Sequence, residues 1–337
     1  GALVPAGEQR PLPSKEPDGG WAIWAIDRAL ELYSGGGADN KTMAIAKKTA
    51  ARARLARGEI EEAIADARQA VELGRSVSCG ARLLATSLNI LSRALVLLCR
   101  WQEARLAAVE ALELAQQYGE PFLTSRVRHS VLDVTFLTED YDRAMQIAME
   151  EREMMEETRN LEGESVAMRA LAKAQWMSIS DTDPFPAAEK ALALAQQSGS
   201  TSAEVDALLA LSDFHMDAED SDKTVERLSQ AREVHRKAGD SEKEVAALHA
   251  LSDVHWSFRN MDKALQAAEE ARELSRQAPS KKVEVNALRV LSGVHAAMEE
   301  RGRALEAARE MRVVCKGAGD PKGEAEALYL PAPPHLE

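Results

Sequence analysis

The segment Ser241–Ser280 recurs along the chain with a period of forty residues. Shifted forward by one period it becomes Lys281–Asp320, and shifted backward it becomes Thr201–Asp240. Two positions fix the register of the repeats, because one holds glutamate and the other holds alanine in successive units. These matches are Glu164, Glu204, Glu244, Glu284 and Glu324, and Ala167, Ala207, Ala247, Ala287 and Ala327. A fixed period in this range indicates a stacked array of repeats.

Each forty-residue unit has the pattern of two amphipathic helices, with apolar residues spaced three and four apart. A single helix pair cannot bury its apolar stripe alone, so neighbouring pairs must stack. The pattern predicts an all-α, right-handed α-solenoid of stacked antiparallel helix pairs. It contains about seven full repeats and a partial repeat at each end, sixteen helices in all. Helix ends are expected at Gly58, Gly74 and the glycines at 35–37, and helix caps at Asp240, Ser280 and Asp320.

The repeats define the domain organisation. Residues 1–20 are rich in Pro and Gly and are expected to form a tail. The solenoid occupies residues 21–330, and residues 331–337 form a second tail or a cloning remnant. Because both ends of the array are partial repeats, the chain is expected to be a segment of a longer protein.

Charge and cysteine content limit the possible function. The net charge of -13 argues against a general nucleic-acid binder, which needs a basic surface. No apolar run approaches the roughly 18 residues that a membrane-spanning helix needs. The three cysteines form no CxxC pair, which favours the cytoplasm or another reducing intracellular compartment. Cys79 and Cys99 are expected to be buried or half-buried.

The order of small and large residues resembles the tetratricopeptide repeats, in the longer forty-residue form of the Pins-type spindle-orientation adaptors and kinesin light chains. The resemblance covers Trp21 to Leu330. Ala264 and Ala271 match the small residues of the second helix, and Leu251 matches the leucine of the first. Ser252 stands where the family often has Gly, and His255 where it often has Tyr. The Pins-type array also carries a ladder of groove asparagines, whose positions here hold Ile90, Ala170, Ala210, Ala250 and Val290.

The sequence contains no phosphate loop, HExxH, GxSxG or paired-cysteine metal motif. His215, His255 and His295 share one repeat position, but equivalent helices of neighbouring repeats lie about a helix diameter apart. Zinc needs nitrogen ligands at about 2.0–2.1 Å, so the three histidines are expected to be packing residues. We therefore expect no catalytic residue, no metal and no cofactor.

The first helix of each pair is expected to line a concave groove that binds a partner. Three repeat positions face it, giving a mostly basic N-terminal half, a mostly acidic C-terminal half and large apolar side chains between them. The candidate partner-binding residues are Lys48, Arg52, Arg93, His129, Asp133, Phe136, Arg169, Lys173, Trp176, Asp213, His249, Asp253 and Trp256. Buried aromatic residues and arginines are typical of binding hot spots. The alternative is that the aromatic side chains pack between neighbouring helices.

These features favour a non-enzymatic adaptor or scaffold that holds a peptide or a partner helix along the groove. One alternative is a structural subunit held constitutively in a larger complex. The other is the sensor or regulatory segment of a longer multidomain protein. The expected partner is a protein or a peptide, with no nucleic acid and no membrane span.

Overall fold

The computed structural model describes residues 20–76, 80–178 and 182–329, without the side chains of residues 20–23. These residues form sixteen α-helices and no strand. They divide into two compact units, Gly1–Glu151 and Arg152–Glu337. The predicted tails lie outside the described residues, except that Gly20 begins the first helix. No helix in the described ranges is both long and apolar enough to cross a bilayer.

Unit 1 contains the first six helices and most of the seventh. They are α1 (Gly20–Gly36), α2 (Asn40–Arg57), α3 (Ile60–Ser76), α4 (Ala81–Leu97), α5 (Trp101–Tyr118), α6 (Pro121–Leu137) and α7 (Tyr141–Glu157), which ends in unit 2. Consecutive helices pack against one another, and α2, α4 and α6 also contact in sequence as first helices of successive pairs.

Unit 2 contains the remaining nine helices. They are α8 (Leu161–Met177), α9 (Phe185–Ser198), α10 (Thr201–Asp217), α11 (Ser221–Ala238), α12 (Ser241–Ser257), α13 (Met261–Ser275), α14 (Lys281–Ala297), α15 (Arg301–Ala318) and α16 (Pro321–Tyr329). Among first helices of successive pairs, α8 contacts α10 and α12 contacts α14. The prediction of stacked helix pairs is confirmed within each unit.

Small residues hold the two helices of a pair close together. Ala264 and Ala271 on α13 are completely buried, and Leu248 on α12 is 1% exposed. Leu248 and Ala271 belong to one apolar cluster, which Leu228 from the preceding pair completes. Because part of each cluster comes from a neighbour, a helix pair reaches its full burial only in the stack.

A left-handed residue occupies most of the described turns, both between and within helix pairs, at a spacing of about twenty residues. Between pairs the residue is usually glycine, as at Gly119, Gly199, Gly239 and Gly319, with φ between 68° and 76°. Within pairs it is glycine at Gly58, with φ 81°, and another residue in the later pairs. These residues are Cys99, Glu139, Glu219, Arg259 and Glu299, with φ between 55° and 62°. Arg159 occupies one of the glycine positions, with φ 54°. Non-glycine residues are strained in this region, because Cβ approaches the following carbonyl oxygen.

Buried serines tie the first helix of several pairs to the second. Ser252 Oγ donates a hydrogen bond to the Ala264 carbonyl at 2.9 Å. The equivalent Ser92 and Ser292 make the same bond to their own second helices, at 2.9 and 3.0 Å. The serine that replaces the glycine of the resembled family therefore supplies a repeated cross-link.

Two local predictions about helix ends are wrong. Gly74 was expected to end α3, but it is buried within the helix, where an added Cβ would lie 2.8 Å from Leu84 Cδ2. The Ser280 side chain makes no cap bond, and its backbone N–H instead donates to Glu242 Oε1 at 3.1 Å. The helix end predicted at the glycines 35–37 is confirmed, because α1 ends at Gly36 and Gly37 is left-handed. The predicted caps at Asp240 and Asp320 are confirmed.

Candidate functional site

The first helices of unit 1 line a cavity of about 720 Å³. Lys48, Arg52 and Leu55 reach it from α2, and Asn89, Ile90 and Arg93 from α4. Residues three or four apart share a helix face, so the repeat spacing places these side chains on the same surface. The structure thus brings together three of the predicted partner-binding residues, which are Lys48, Arg52 and Arg93.

The lining of this cavity is strongly basic. Its cations are Lys41, Lys48, Arg52, Arg82, Arg93 and Arg126, and among the described residues no carboxylate lines it. Burial and the positive charges of Arg52, Arg82 and Arg126 lower the pKa of the Lys48 amine. Arg82 forms an ion pair with Glu120 at 3.2 Å.

Asn89 is the polar, uncharged member of the lining that is most deeply enclosed. It is 4% exposed, and its Oδ1 has no hydrogen-bond donor within the described ranges. A buried polar atom without a partner is unfavourable and normally marks a missing water, ion or ligand.

A smaller cavity of about 370 Å³ adjoins the same residues. Arg52, Arg93, Val96 and Asp133 line it, so α6 contributes an acid beside two arginines. The other predicted residues on α6 are less enclosed. His129 is exposed, and its Nδ1 lies 2.8 Å from the Ser125 carbonyl. Phe136 is half-buried.

In unit 2, the predicted charges are partly neutralised. Arg169 pairs with Asp206 at 2.9 Å, across α8 and α10. Asp213 is exposed on α10, and burial together with the nearby Asp217 raises its pKa, while Lys173 opposes the shift.

Trp176 packs between neighbouring helices. Its ring stacks on Phe214 with the centroids 5.2 Å apart and meets the edge of Phe185 at 6.2 Å. Its Nε1 donates to Asp217 Oδ2 at 3.0 Å. The packing alternative left open by the sequence therefore describes this tryptophan.

Trp256 is more accessible. The residue is 38% exposed. Its ring lies over Gly293, where an added Cβ would be 3.5 Å from Trp256 Cζ3. One face is thus supported by α14, and the remainder can contact a partner.

His249 and Asp253 lie one turn apart on α12. Burial and the positive charge of Arg289 lower the pKa of His249 to about 4, and burial raises the pKa of Asp253. His249 Nε2 is enclosed without a hydrogen-bond partner in the described part of the chain. The ring is therefore neutral at ordinary pH.

The three repeated histidines occupy packing positions in unit 2. His215 and His295 are 5% exposed, and the His215 ring stacks on Phe185 at 4.7 Å. His295 Nδ1 lies 2.8 Å from Glu300 Oε2, and His255 is half-buried. Among the described residues, no group of three or more His, Cys, Asp or Glu is placed to hold a metal.

The prediction that Cys99 is buried or half-buried is wrong. Cys99 is exposed, because it occupies the left-handed turn between α4 and α5. Cys79 lies outside the described residues. Cys315 is buried, which raises the pKa of its thiol.

The sequence interpretation missed three cations and the burial of Asn89. Arg126 has the same repeat position as Ile45 and Thr86, one helical turn before the row that contains Lys48 and Asn89. The three cations could have been found by extending the row of Lys48 by one turn to Arg126 and by two turns to Lys41 and Arg82, because residues three or four apart are neighbours on a helix. Lys41 and Arg82 form the next such row.

Comparisons with known proteins agree with the helix pairs. A sequence profile described as Tetratricopeptide repeat matches residues 204–277. No curated protein matches the chain in sequence. Such repeats are typical of protein–protein interaction modules.

Three solved structures share the fold at low sequence identity. The apo form of RapI has a TM-score of 0.55 at 15% identity, covering 81% of this chain and 99% of its own. Aspartyl phosphate phosphatase F from Bacillus subtilis has 0.54 at 13%, covering 86% and 74%.

The third is a signal transduction ATPase with numerous domains and a tetratricopeptide repeat sensor, from Pyrococcus horikoshii. It has a TM-score of 0.52 at 15% identity, covering 93% of this chain and 52% of its own, so the chain spans about half of that ATPase. Identities this low show a shared fold alone. Residues 204–277 are thus tetratricopeptide repeats, and the helix pairs before and after them repeat that fold.

Proposed function

We propose that the chain is a non-enzymatic adaptor that binds a peptide or a partner helix on the surface formed by the first helices of its pairs. The cation-lined cavity between α2 and α4 carries this proposal, because it gathers Lys48, Arg52 and Arg93 on one concave surface. Within unit 2, the exposed Trp256 offers an aromatic contact of the kind that dominates binding energy at interfaces. The partner is a protein or a peptide rather than nucleic acid, since the net charge of -13 opposes a phosphate backbone. The working compartment is the cytoplasm or another reducing one.

The test begins with affinity purification of partners and mass spectrometry, followed by kinetics with the recovered partner. Reversing the charges of Arg52 and Arg93 to Glu should slow association, because charges at the edge of an interface act mainly on encounter. Trp256→Ala should instead speed dissociation and weaken binding by about 2 kcal/mol or more if the ring is an anchor.

The control changes lie on second helices. Arg309 on α15 and Leu106 on α5 are exposed, and Leu106 is 70% exposed. Arg309→Glu and Leu106→Ala should leave both rate constants unchanged. Binding that survives the first-helix changes and is lost on the second helices would refute the proposed surface.

The same purification addresses the structural-subunit alternative. An adaptor should release its partner on dilution or competition, whereas a constitutive subunit should co-purify at fixed stoichiometry and resist exchange.

A sensor segment of a longer regulator is the second candidate function. The fold shared with the Pyrococcus horikoshii ATPase over 93% of this chain favours it. An antibody against residues 204–277 should then detect a polypeptide much longer than 337 residues in the native source. Detection of the 337-residue chain alone would exclude this candidate.

A further inference from the structure

Another cavity, of about 670 Å³, lies in unit 2 between the first helices α10 and α12, and α11 also lines it. Val205 and Leu209 belong to α10, Ala231 to α11, and Ala247 and Ala250 to α12. The two first helices approach each other less closely here than α8 and α10 do. Cavities that hold small molecules are mostly apolar and measure roughly 300–1,000 Å³, so the size and the lining both suit such a ligand.

The cavity lies where a bridging glutamate is replaced. Glu162 on α8 accepts a hydrogen bond from Ser200 Oγ at 2.8 Å, and Glu242 on α12 accepts one from the Ser280 backbone N–H at 3.1 Å. Each of these carboxylates spans the junction to the next helix pair. The equivalent residue of α10 is Ser202, which lines the cavity and is too short to span the same junction. This end of the cavity is therefore left open.

Leu209 places an apolar side chain where six other first helices have a polar one. The residues at this repeat position in α2, α4, α6, α8, α12 and α14 are Lys48, Asn89, His129, Arg169, His249 and Arg289. Leu209 is 37% exposed, and Ala246 beside the cavity is exposed as well. A ligand in the cavity would cover both side chains and gain free energy by removing their apolar surface from water.

His235 on α11 is a buried polar residue of the cavity lining. It is 8% exposed, and neither ring nitrogen has a hydrogen-bond partner among the described residues. Burial lowers the pKa of His235 below its ordinary value, so the ring is neutral near pH 7 and offers one donor and one acceptor. At the equivalent position of α13, the Ser275 hydroxyl is satisfied by the Arg272 carbonyl at 2.8 Å. A buried polar group without a partner normally marks a missing water or ligand.

The charged residues of the lining are already paired. Asp206 forms an ion pair with Arg169 at 2.9 Å, and Lys243 forms one with Asp240 at 3.1 Å. No other charged residue in the described ranges lines the cavity. A charged ligand would thus leave water without gaining a free counter-ion, which is strongly unfavourable. The lining therefore selects a neutral ligand.

We propose that this cavity binds a neutral, mostly apolar small molecule that carries one hydroxyl or N–H group. Val205, Leu209 and Ala250 contact its apolar body, and the ring of His235 forms a hydrogen bond with its polar group. The inference goes beyond the proposed function, because it gives the chain a small-molecule ligand in addition to a protein partner.

The experiment is equilibrium dialysis of the full chain against three probes that share one ring system. Indole is neutral and has an N–H, 1-methylindole is neutral and has none, and indole-3-carboxylate is an anion. Indole should bind at least about fivefold more tightly than 1-methylindole, because only indole can donate to the His235 ring, and one hydrogen bond has about this net effect. Indole-3-carboxylate should bind more weakly than indole.

His235→Met tests the hydrogen bond. Methionine is compatible with the fold at this position, because Met155 holds the equivalent place on α7. The variant should bind indole and 1-methylindole equally, while its affinity for 1-methylindole stays within about twofold of that of the unmodified chain. Damage to the fold would instead weaken both probes.

Filling the cavity tests its apolar part. Ala246→Val combined with Ala250→Val should weaken both neutral probes by about tenfold or more, because the added methyl groups occupy the ligand volume. Valine already stands at the equivalent positions, as Val166 on α8 and Val290 on α14. The control is Ala297→Val, an exposed change on α14 that should alter neither affinity.

A second variant covers the case in which the double valine change disturbs folding, as judged by circular dichroism. Leu209→Arg introduces the residue that α8 and α14 have at this position and should also weaken both neutral probes. Four results would overturn the inference. They are no binding of indole, equal binding of indole and 1-methylindole by the unmodified chain, a preference for indole that survives in His235→Met, and tighter binding of indole-3-carboxylate than of indole.

Discussion

Ser252 on α12 donates a buried hydrogen bond to the carbonyl of Ala264 on α13, at 2.9 Å. Ser252 is completely buried, as are Ser92 and Ser292 at the equivalent positions. The bond joins the two helices of one repeat, at a position where the resembled family often has Gly. The serine therefore adds a directed polar link between the two helices.

Removing this link should lower stability. Ser252→Ala should reduce the free energy of unfolding by about 0.5–1.5 kcal/mol, which is the usual net contribution of one hydrogen bond. Ser257 offers a matched control, because its hydroxyl is exposed and bonds only to the Asp253 carbonyl of its own helix. Thermal melts followed by circular dichroism at 222 nm measure both, and an equal loss in the two variants would show that the cross-helix bond is unimportant.

Overpacking tests the register of the helix pair. Ala264→Trp or Ala271→Trp should destabilise the protein by roughly 1–3 kcal/mol or more, because both alanines are completely buried. Glu269→Trp should have little effect, since Glu269 is exposed. Glu270 is a poorer control because it pairs with Arg232. Similar losses of melting temperature at buried and exposed sites would mean that the register is wrong.

The left-handed turn at Arg159 can be relaxed. Arg159→Gly should raise the free energy of unfolding by about 0.5–1 kcal/mol, because glycine adopts this conformation without strain. The reciprocal change Gly199→Arg should lower it, although no atom lies within 4 Å of the added Cβ. Chemical denaturation of both variants checks the pair, and the strain argument fails if the two changes shift stability in the same direction.

His249 should make the fold sensitive to acid. Its pKa falls from the ordinary value of 6.5 to about 4 in the folded chain, so the unfolded state binds more protons between these two values. Stability from the neutral ring is complete above about pH 6.5 and is lost progressively as pH falls toward about 4. Arg289 faces the ring and opposes protonation, and Asp253 on the same helix is itself shifted upward.

The matched variant is His249→Leu, because Leu209 holds the equivalent position in the preceding pair. Melting temperatures measured near pH 7.5 and near pH 5 should differ less in this variant than in the unmodified chain. His215, His235 and His255 also have lowered pKa values and remain in both proteins, so the difference isolates His249. An identical pH dependence in both proteins would contradict the prediction.

The fold was largely predictable because a period of forty residues leaves little freedom in the placement of helices. Local exceptions arose where burial depends on a neighbour. Gly74 has the composition of a helix stop, yet it stays helical and buried, with Leu84 packed against it. Ser280 has the composition of a cap, yet its hydroxyl makes no cap bond and its backbone N–H donates to Glu242 of the preceding helix pair. No pattern within one helix records such contacts.

The sequence predicted which residues line the candidate site better than it predicted how deeply each of them is buried. The repeat spacing identified Arg52 and Arg93, because both lie on the same face of successive first helices. It could not show that Asn89 is enclosed, since burial at that position varies from pair to pair and His129 at the equivalent place is exposed. Nor could it distinguish Trp176, which is held by Phe214 and Asp217, from the more accessible Trp256.

The recurring left-handed residues also determine how this chain can change in length. Gly199 and Gly239 have nearly the same φ, 71° and 70°, so the helix that follows each leaves the turn in the same direction. An in-frame deletion that joins residue 200 to residue 241 would remove one helix pair and deliver the next to an equivalent junction. A deletion of half that length would place a second helix where a first helix is needed. It would expose alanines that otherwise pack against the other helix of their pair. Whole multiples of forty residues are therefore the steps by which such an array can grow or shrink while each remaining pair still finds a matching neighbour.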